Sequence, residues 1–464
     1  RVASSCPHKS YVLLEARDDI GGTWDFFKYP GIRSDSDMFT FGFGFNPWPK
    51  DRVLANAEEI KTYLKETAAK FGVDKHLMCG VRVSSASWSS EESRWTLQSS
   101  KVVIKSRYMV MASGYYKYDA GFTPEFPGMD VFGGRITHPQ QWSEGIDVAD
   151  KRVVVIGSGA TAITLIPELA KTAALVTCVQ RSPSYVMSIP EKQPVMQLLS
   201  ALPRHLVYPL ARWYQLIFFG WGFYWTCKYF PGIMRSVIHR LTDAQLPKDV
   251  DRKHFTPHYN PWDQRVCACP KGDMFRAIRN GRATMVTGEI EKFTESGLAM
   301  ESGEHIEADL IVTATGFNLQ ENWPMSDVEV SVDGVKYDSA DALIYRCSML
   351  SGVPNFVFIA GLQDIAISWT MKSDLASLFL CRLVNFMDSS GYVSACPKPS
   401  ANVVRKKLDL MSSSYFKRGA GRMPQVGTRP PWEMTPYFFR NRGTWLKASL
   451  EEDMNFVKEP TSKL

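Results

Sequence analysis

The most constraining feature of the chain is Arg152-Val-Val-Val-Ile156, followed at once by Gly157-Ser-Gly159-Ala-Thr-Ala162. A short β-branched run of this kind reads as a strand buried on both faces. The loop fits G-x-G-x-x-G/A and leads into a helical stretch over 162–171, the strand–turn–helix context that the motif requires. The first glycine permits the tight turn, the second lets the backbone approach a pyrophosphate, and the small Ala162 lets helix and strand pack closely. The helix N-terminus then holds the anion with free N–H groups, so Gly157, Gly159, Ala160 and Thr161 are candidate contacts. The next strand, over 175–180, ends at Arg181-Ser182. An acid at that place would pair with a ribose 2′-hydroxyl. A guanidinium suits a 2′-phosphate, so Arg181 and Ser182 favour NADP(H) over NAD(H).

A second unit of the same kind is announced by Tyr11-Val-Leu-Leu-Glu15, an apolar run ending in an acid where a cofactor ribose would bind. Gly157 precedes Arg181 by 24 residues; the same count back from Glu15 falls before Arg1. A first phosphate loop is therefore expected upstream, and as written the chain is expected to hold its first dinucleotide poorly. Near-stoichiometric flavin absorbance in the purified chain would contradict this.

Further strands are predicted at 108–112, 310–314 and 356–360, and amphipathic helices at 57–71 and 372–387. Strands alternating with helices give an α/β, doubly wound architecture. Residues from about 190 to 260 break the alternation and read as a helical, aromatic insertion. The longest uncharged apolar run there, Trp213 to Cys227, is 15 residues, short of the ~20 that a transmembrane helix needs. A buried helix pair is the preferred reading of this region. A face that touches membrane or an apolar substrate is the sharper alternative.

Composition sets the outer limits. A 464-residue chain with 45% hydrophobic and 22% charged residues is not disordered. Its 54 cations against 48 anions do not describe a nucleic-acid binder; a basic pocket for one anionic cofactor accounts for the net +6. Nine scattered Cys do not form a secreted disulfide framework. Cys267-Ala-Cys269 has no second pair at metal-site spacing, so no metal is expected and the thiols read as core fillers. Residues 1–10 are polar, unlike a secretory leader, and a cytoplasmic location is expected.

Phe132-Gly-Gly134-Arg-Ile-Thr-His138-Pro-Gln-Gln-Trp142 fits F-x-G-x-x-x-H-x-x-x-W. It resembles the fingerprint of FAD- and NADPH-dependent Baeyer–Villiger monooxygenases within the flavin-containing monooxygenase superfamily. Ser143 stands where the family usually has Pro or Asp. Trp142 tilts the choice away from the related N/S-monooxygenases, which tend to carry Tyr or Phe there. Gly21-Gly22-Thr23-Trp24, Tyr29-Pro-Gly-Ile-Arg33-Ser-Asp35, His258 to Arg265 and Ala314-Thr315-Gly316-Phe317 are similar to family segments too, so the resemblance covers nearly the whole chain. Gly31 to Met38 and Ile156 to Ala162 look most like the ethionamide-activating bacterial subgroup.

The resemblance implies two Rossmann-like dinucleotide-binding domains with a helical insertion, the first FAD phosphate loop being absent from this chain. The FAD-binding domain would take 1–145 and 319–464, the NADPH-binding domain 146–190 and 261–318, and the insertion 191–260. It implies FAD contacts at Glu15, Gly21, Gly22, Thr23, Trp24 and Asp35, where the paired glycines let the backbone close on the cofactor. It also implies a catalytic Arg265 oriented by Asp35, a close backbone crossing at Thr315 and Gly316, and a coupling role for His138. The stretch from Gly352 and Asn355 to Gly361, then Ser368-Trp369-Thr370, would return toward the flavin. Asp263, beside Trp262, reads as a cap or ion-pair partner.

The implied reaction inserts one atom of O2 into a small apolar ketone, giving an ester or lactone through a flavin C4a-peroxide. Thioether S-oxidation is a further activity of the same chemistry. Two alternatives stand beside it: an N/S-heteroatom monooxygenase and an inactive truncated paralogue with a regulatory or binding role.

Overall fold

The computed structural model describes residues 1–359, 368–408, 418–435 and 438–458. The predicted strand end at Ala360, Gly361 and the last six residues lie outside them. The chain divides into two compact units, one of residues 1–20, 65–116 and 319–464, the other of residues 21–64 and 117–318. The fold is mixed α/β.

The second unit is built on a five-stranded sheet in the order Ala283–Thr287, Leu175–Gln180, Arg152–Ile156, Leu310–Thr313, Arg135–Thr137. Every neighbour pair is parallel. Parallel strands need crossovers, which cover both faces and force continuous apolar runs. The central strand shows this directly. Val153 and Val155 pack with Ile163, Ile166, Met274 and Phe275 from the helices Ala160–Leu169 and Asp273–Arg279. Val154 and Ile156 point the other way, into a core with Phe293, Leu298 and Ile306. Those three come from an antiparallel layer of Ile290–Thr294, Gly297–Met300 and His305–Glu307. Fully burying one such side chain contributes about 1.5–3 kcal/mol, so the Val-Val-Val-Ile run is the main anchor of this sheet.

Of the insertion expected to be helical over 191–260, helices take Pro194–Leu198, Arg204–Tyr214, a π-helical stretch Gln215–Phe223, Tyr224–Tyr229 and Pro231–Asp243, while 244–260 is irregular apart from the short turn Arg252–Phe255. The buried helix pair holds for one side only. Val207, Tyr208 and Ala211 pack with Met38, Phe39 and Trp48, whereas Trp213, Ile217, Phe218 and Trp221 are exposed. Among the described residues no helix is long and apolar enough to cross a membrane.

The first unit holds a five-stranded sheet in the order Val335–Lys336, Glu329–Val332, Val83–Ser89, Arg94–Ser99, Val103–Ser106. Trp88, Trp95, Val330 and Phe356 pack together beside it. The helix Trp369–Ser390 is longer at both ends than the predicted 372–387. The strand expected over 11–15 is only Leu13–Leu14, paired in parallel with Leu77–Met78. It has that one partner and Leu13 is exposed, so the burial that would extend it is missing.

Candidate active site

The glycine loop is placed as its residue types demand. Gly157 has φ +128°, and a Cβ there would lie 2.3 Å from the Ala314 carbonyl oxygen. No other residue fits that crossing without displacing backbone. Gly159 differs: its Cβ would meet nothing within 4 Å, so the backbone faces open space. It caps the helix Ala160–Leu169 without a side-chain hydrogen bond to the first turn. An open cradle at an uncapped helix start fits a pyrophosphate. The Ser158 hydroxyl donates to the Ser182 carbonyl at 3.0 Å, tying the loop to the end of the next strand. Arg181 is exposed at that end and Ser182 is half-buried, so both can be reached from solvent. Thr161 shares a hydrogen bond with Tyr29, whose phenol burial pushes up to about 12.

Thr315 and Gly316 form a close backbone crossing within the same unit. The Thr315 hydroxyl donates to the Phe122 carbonyl at 2.6 Å, and the Phe122 N–H donates to the Gly316 carbonyl at 3.1 Å. His138 secures the same oxygen, with Nε2 3.0 Å from it. Its Nδ1 accepts the Gln140 N–H at 3.1 Å, which leaves the hydrogen on Nε2. Burial lowers the His138 pKa, opposed by the Gly316 bond. The ring is therefore a neutral clamp. Gly121 makes room for it: a Cβ there would sit 2.0 Å from the imidazole. The other fingerprint residues are packing elements. Phe132 is buried against Phe293, Trp142 packs on the main core, and a Cβ on Gly134 would strike the Asp309 carbonyl at 2.5 Å.

The structure brings Arg265 and Asp35 together, Nη2 to Oδ2 at 3.3 Å, although 230 positions separate them. Both are partly exposed, so the pair can be reached by a ligand. Gly21 and Gly22, at φ +126° and +51°, turn the chain into the short helix Thr23–Phe26. Trp24 is half-buried with its ring edge-on to Phe41. Asp263 is an ion-pair partner rather than a helix cap, taking Lys228 at 2.9 Å and accepting the Asn260 N–H. Cys267 and Cys269 are buried core thiols, and burial pushes Cys267 up to about 12.

In the other unit, Glu15 accepts the N–H of Arg17 on one carboxylate oxygen. Asn355 is tied to backbone groups of Arg107, Val393 and Ala395, a structural knot. Trp369 stacks on Tyr115 at 5.0 Å.

Sequence reasoning quoted Arg33 in a motif but gave it no role. Its guanidinium forks onto Asp273 at 2.6 and 3.5 Å. The pair borders a cleft of ≈ 840 Å³ whose walls include Trp24, Lys61, Lys271 and Arg276. Arg265 and Asp35 do not line it. Its cations are largely spoken for, Lys61 by Asp25 and Lys271 by Glu191, which makes it a poor anion site.

Residues 11–202 match the model of the family described as flavin-binding monooxygenase-like. The FAD-containing monooxygenase EthA of Mycolicibacterium smegmatis is 44% identical over 463 residues, spanning 98% of this chain and 93% of that protein. The fold is similar to that of an oxidised steroid monooxygenase bound to NADP, with a TM-score of 0.72 at 20% identity over 97% of this chain and 95% of that one. It is also similar to a cyclohexanone-bound cyclohexanone monooxygenase, with a TM-score of 0.68 at 20% identity over 84% of each chain.

Proposed function

This chain belongs to the flavin-binding monooxygenase family, among its FAD-containing members, and is an oxidoreductase; from that premise we propose that it uses FAD, NADPH and O2 to insert oxygen into a small apolar ketone, giving an ester or lactone. The parallel sheet around Arg152–Ile156 is read as the NADPH-binding domain and the outer segments as the FAD-binding domain. When bound, NADPH supplies hydride and FAD supplies the activation of oxygen.

The chain's own residues supply position and field. Gly157 to Thr161 cradle the pyrophosphate, and Arg181 with Ser182 meets the 2′-phosphate. His138, neutral, holds the Thr315–Gly316 crossing through its Nε2–H and moves no proton. Arg265 is the fixed cation. A guanidinium keeps its charge at any working pH, so it favours oxygen in its anionic form before attack and the alkoxide that develops afterwards. Asp35 orients it. Glu15 and the Gly21–Trp24 turn are the FAD contacts.

The observation that carries this reading is the Arg265–Asp35 pair, accessible and formed across the sequence. The test offers a cyclic ketone and a thioether side by side with NADPH and excess FAD. Ester or lactone is expected. In Arg265→Ala that product falls by about 100-fold or more while NADPH-driven flavin reduction keeps its rate. Sulfoxide as the sole product would reassign the chain to heteroatom oxygenation. Esters formed by the variant at an undiminished rate would remove Arg265 from the chemistry.

A further inference from the structure

The turn that precedes Arg265 runs against its own residue types. The Asp263 N–H donates to the Asn260 carbonyl at 3.0 Å, closing a four-residue turn with Pro261 at its second position and Trp262 at its third. Trp262 has φ +68°, the left-handed value that a type II turn requires at that place and that glycine supplies without steric cost. Among the described residues ten others than glycine have positive φ, and Trp262 is the only aromatic one. A bulky side chain persists in that region only where its surroundings hold it there.

Those surroundings come from the helical insertion. The Trp262 ring lies edge-on to Tyr224 at 5.6 Å. Its indole N–H is buried without a hydrogen-bond partner, so the ring acts by packing. Lys228, one turn beyond Tyr224 on the same helix, pairs with Asp263 at 2.9 Å. From the next helix, Pro231–Asp243, the Arg235 Nη2 donates to the Asn260 amide oxygen at 2.6 Å. Three of the turn's four residues are thus gripped by side chains of two insertion helices. On the far side of Arg265 the chain is fixed independently. The Cys267 N–H donates to the Tyr185 carbonyl at 2.8 Å, and the strand Cys267–Pro270 pairs in parallel with Val186–Ile189. Arg265 therefore lies between a paired strand and a turn whose direction the insertion sets. Its ion pair with Asp35, partly exposed at 3.3 Å, is too loose to fix it alone.

We propose that Trp262 is a positioning residue: held in the left-handed region by Tyr224, Lys228 and Arg235, it sets where the turn delivers Arg265, so that the helical insertion governs the placement of that guanidinium. This deepens the oxygenation reading and rests on it. A misplaced Arg265 lets O2 be consumed without oxygenating the ketone: NADPH, H+ and O2 then give NADP+ and H2O2. The ratio of ester formed to NADPH consumed reports its placement.

Two measurements test it. In the full chain without added cofactor, amide hydrogen exchange over residues 258–266 should be about tenfold faster in Trp262→Gly and in the double variant Lys228→Met/Arg235→Met. Trp262→Phe, which keeps a ring against Tyr224, should exchange like the wild type. With excess FAD, NADPH and a cyclic ketone, Trp262→Gly should lower the ester-to-NADPH ratio by about tenfold at an unchanged KM for NADPH, and Trp262→Phe should recover most of it. Glycine takes this φ without strain, which offsets the lost packing, so the melting temperature should stay close to that of the wild type. The double variant serves in both measurements should Trp262→Gly melt early. Unchanged exchange, or an unchanged ratio, overturns the proposal while an inactive Arg265→Ala keeps the oxygenation reading standing. A Trp262→Phe as defective as Trp262→Gly overturns it too, because the indole N–H and not the packing would then matter. If Arg265→Ala keeps its ester yield, or the wild type forms no ester, the oxygenation reading falls and takes the proposal with it.

Discussion

Two arginine–carboxylate pairs join the same two stretches of the chain, residues 33–35 and 265–273, and they are built differently. Arg33 forks onto Asp273 with its closest contact at 2.6 Å, and the side chains are 13% and 22% exposed. Asp273 also accepts the Met274 N–H and the Cys269 thiol. Arg265 meets Asp35 at 3.3 Å, with the side chains 30% and 45% exposed. The first pair spends both partners on each other and on local backbone. The second leaves them reachable. A charge that must stabilise something arriving from outside has to be reachable by it. The tight pair is therefore read as the scaffold that fixes the two stretches, and the loose pair as the one that works on the ligand.

The sharpest way to break this comparison is to remove each cation in turn. Arg265→Ala should leave urea unfolding nearly unchanged and cost about 100-fold in oxygenation, equivalent to ~2.7 kcal/mol of barrier. Arg33→Ala should do the reverse. It leaves a largely buried carboxylate without its counter-ion, at a cost of about 2–3 kcal/mol of stability. The folded fraction should turn over at close to the normal rate. Arg33→Lys should recover only part of the stability, because an ammonium cannot reproduce the fork. If both alanine variants lost stability equally, the assignment of scaffold and working pair would fail.

Asp35→Asn sharpens the same contrast at lower amplitude. The shape is kept and the charge removed, so Arg265 remains but is held less firmly. A drop of roughly tenfold in kcat with little change in the KM for NADPH is expected, since only orientation is disturbed. Steady-state kinetics with the ketone in excess separates the two parameters. A raised KM with kcat intact would instead make Asp35 a binding residue.

How much of this was legible depended on whether the determinants are local. The strands 152–156 and 175–180 were predicted to the residue, because a run buried on both faces carries its own signal. The uncapped glycine loop was readable for the same reason. The strand near Glu15 shrank because its length depends on neighbours that no local pattern specifies. The antiparallel layer of residues 290–307 was not predicted; its strands are three to five residues long with charged turns between them. Of the two ion pairs, Arg265–Asp35 was reached only through resemblance. Arg33–Asp273 was missed altogether, since partners 240 positions apart leave no periodic trace. The fit of Gly121 to His138 is equally invisible in sequence, because it rests on a ring arriving from another segment.

His138 extends the comparison to a group that must carry no charge at all, and it predicts the smallest effect. Burial lowers its pKa below the ordinary 6.5. A proton on Nδ1 would also point at the Gln140 N–H that this atom now accepts. The unfolded chain has no such constraint and takes up the proton near pH 6.5. Unfolding is therefore favoured as pH falls: the contribution of the neutral clamp is complete above pH 6.5 and is lost below it. Burial lowers His239 and His254 in the same direction, so the losses add. Urea unfolding free energy should be nearly flat from about pH 7.5 to 6.5, then decline by at most ~1.4 kcal/mol per pH unit for each histidine involved. Most carboxylates titrate below this window, which isolates the histidines. His138→Gln keeps an N–H donor for the Gly316 carbonyl but cannot titrate. It should be less stable at neutral pH, because the ring's packing is lost, yet decline less steeply below pH 6.5. A variant as acid-sensitive as the wild type would mean that His138 takes up its proton in the folded state as readily as in the unfolded one, and the neutral clamp would have to be abandoned.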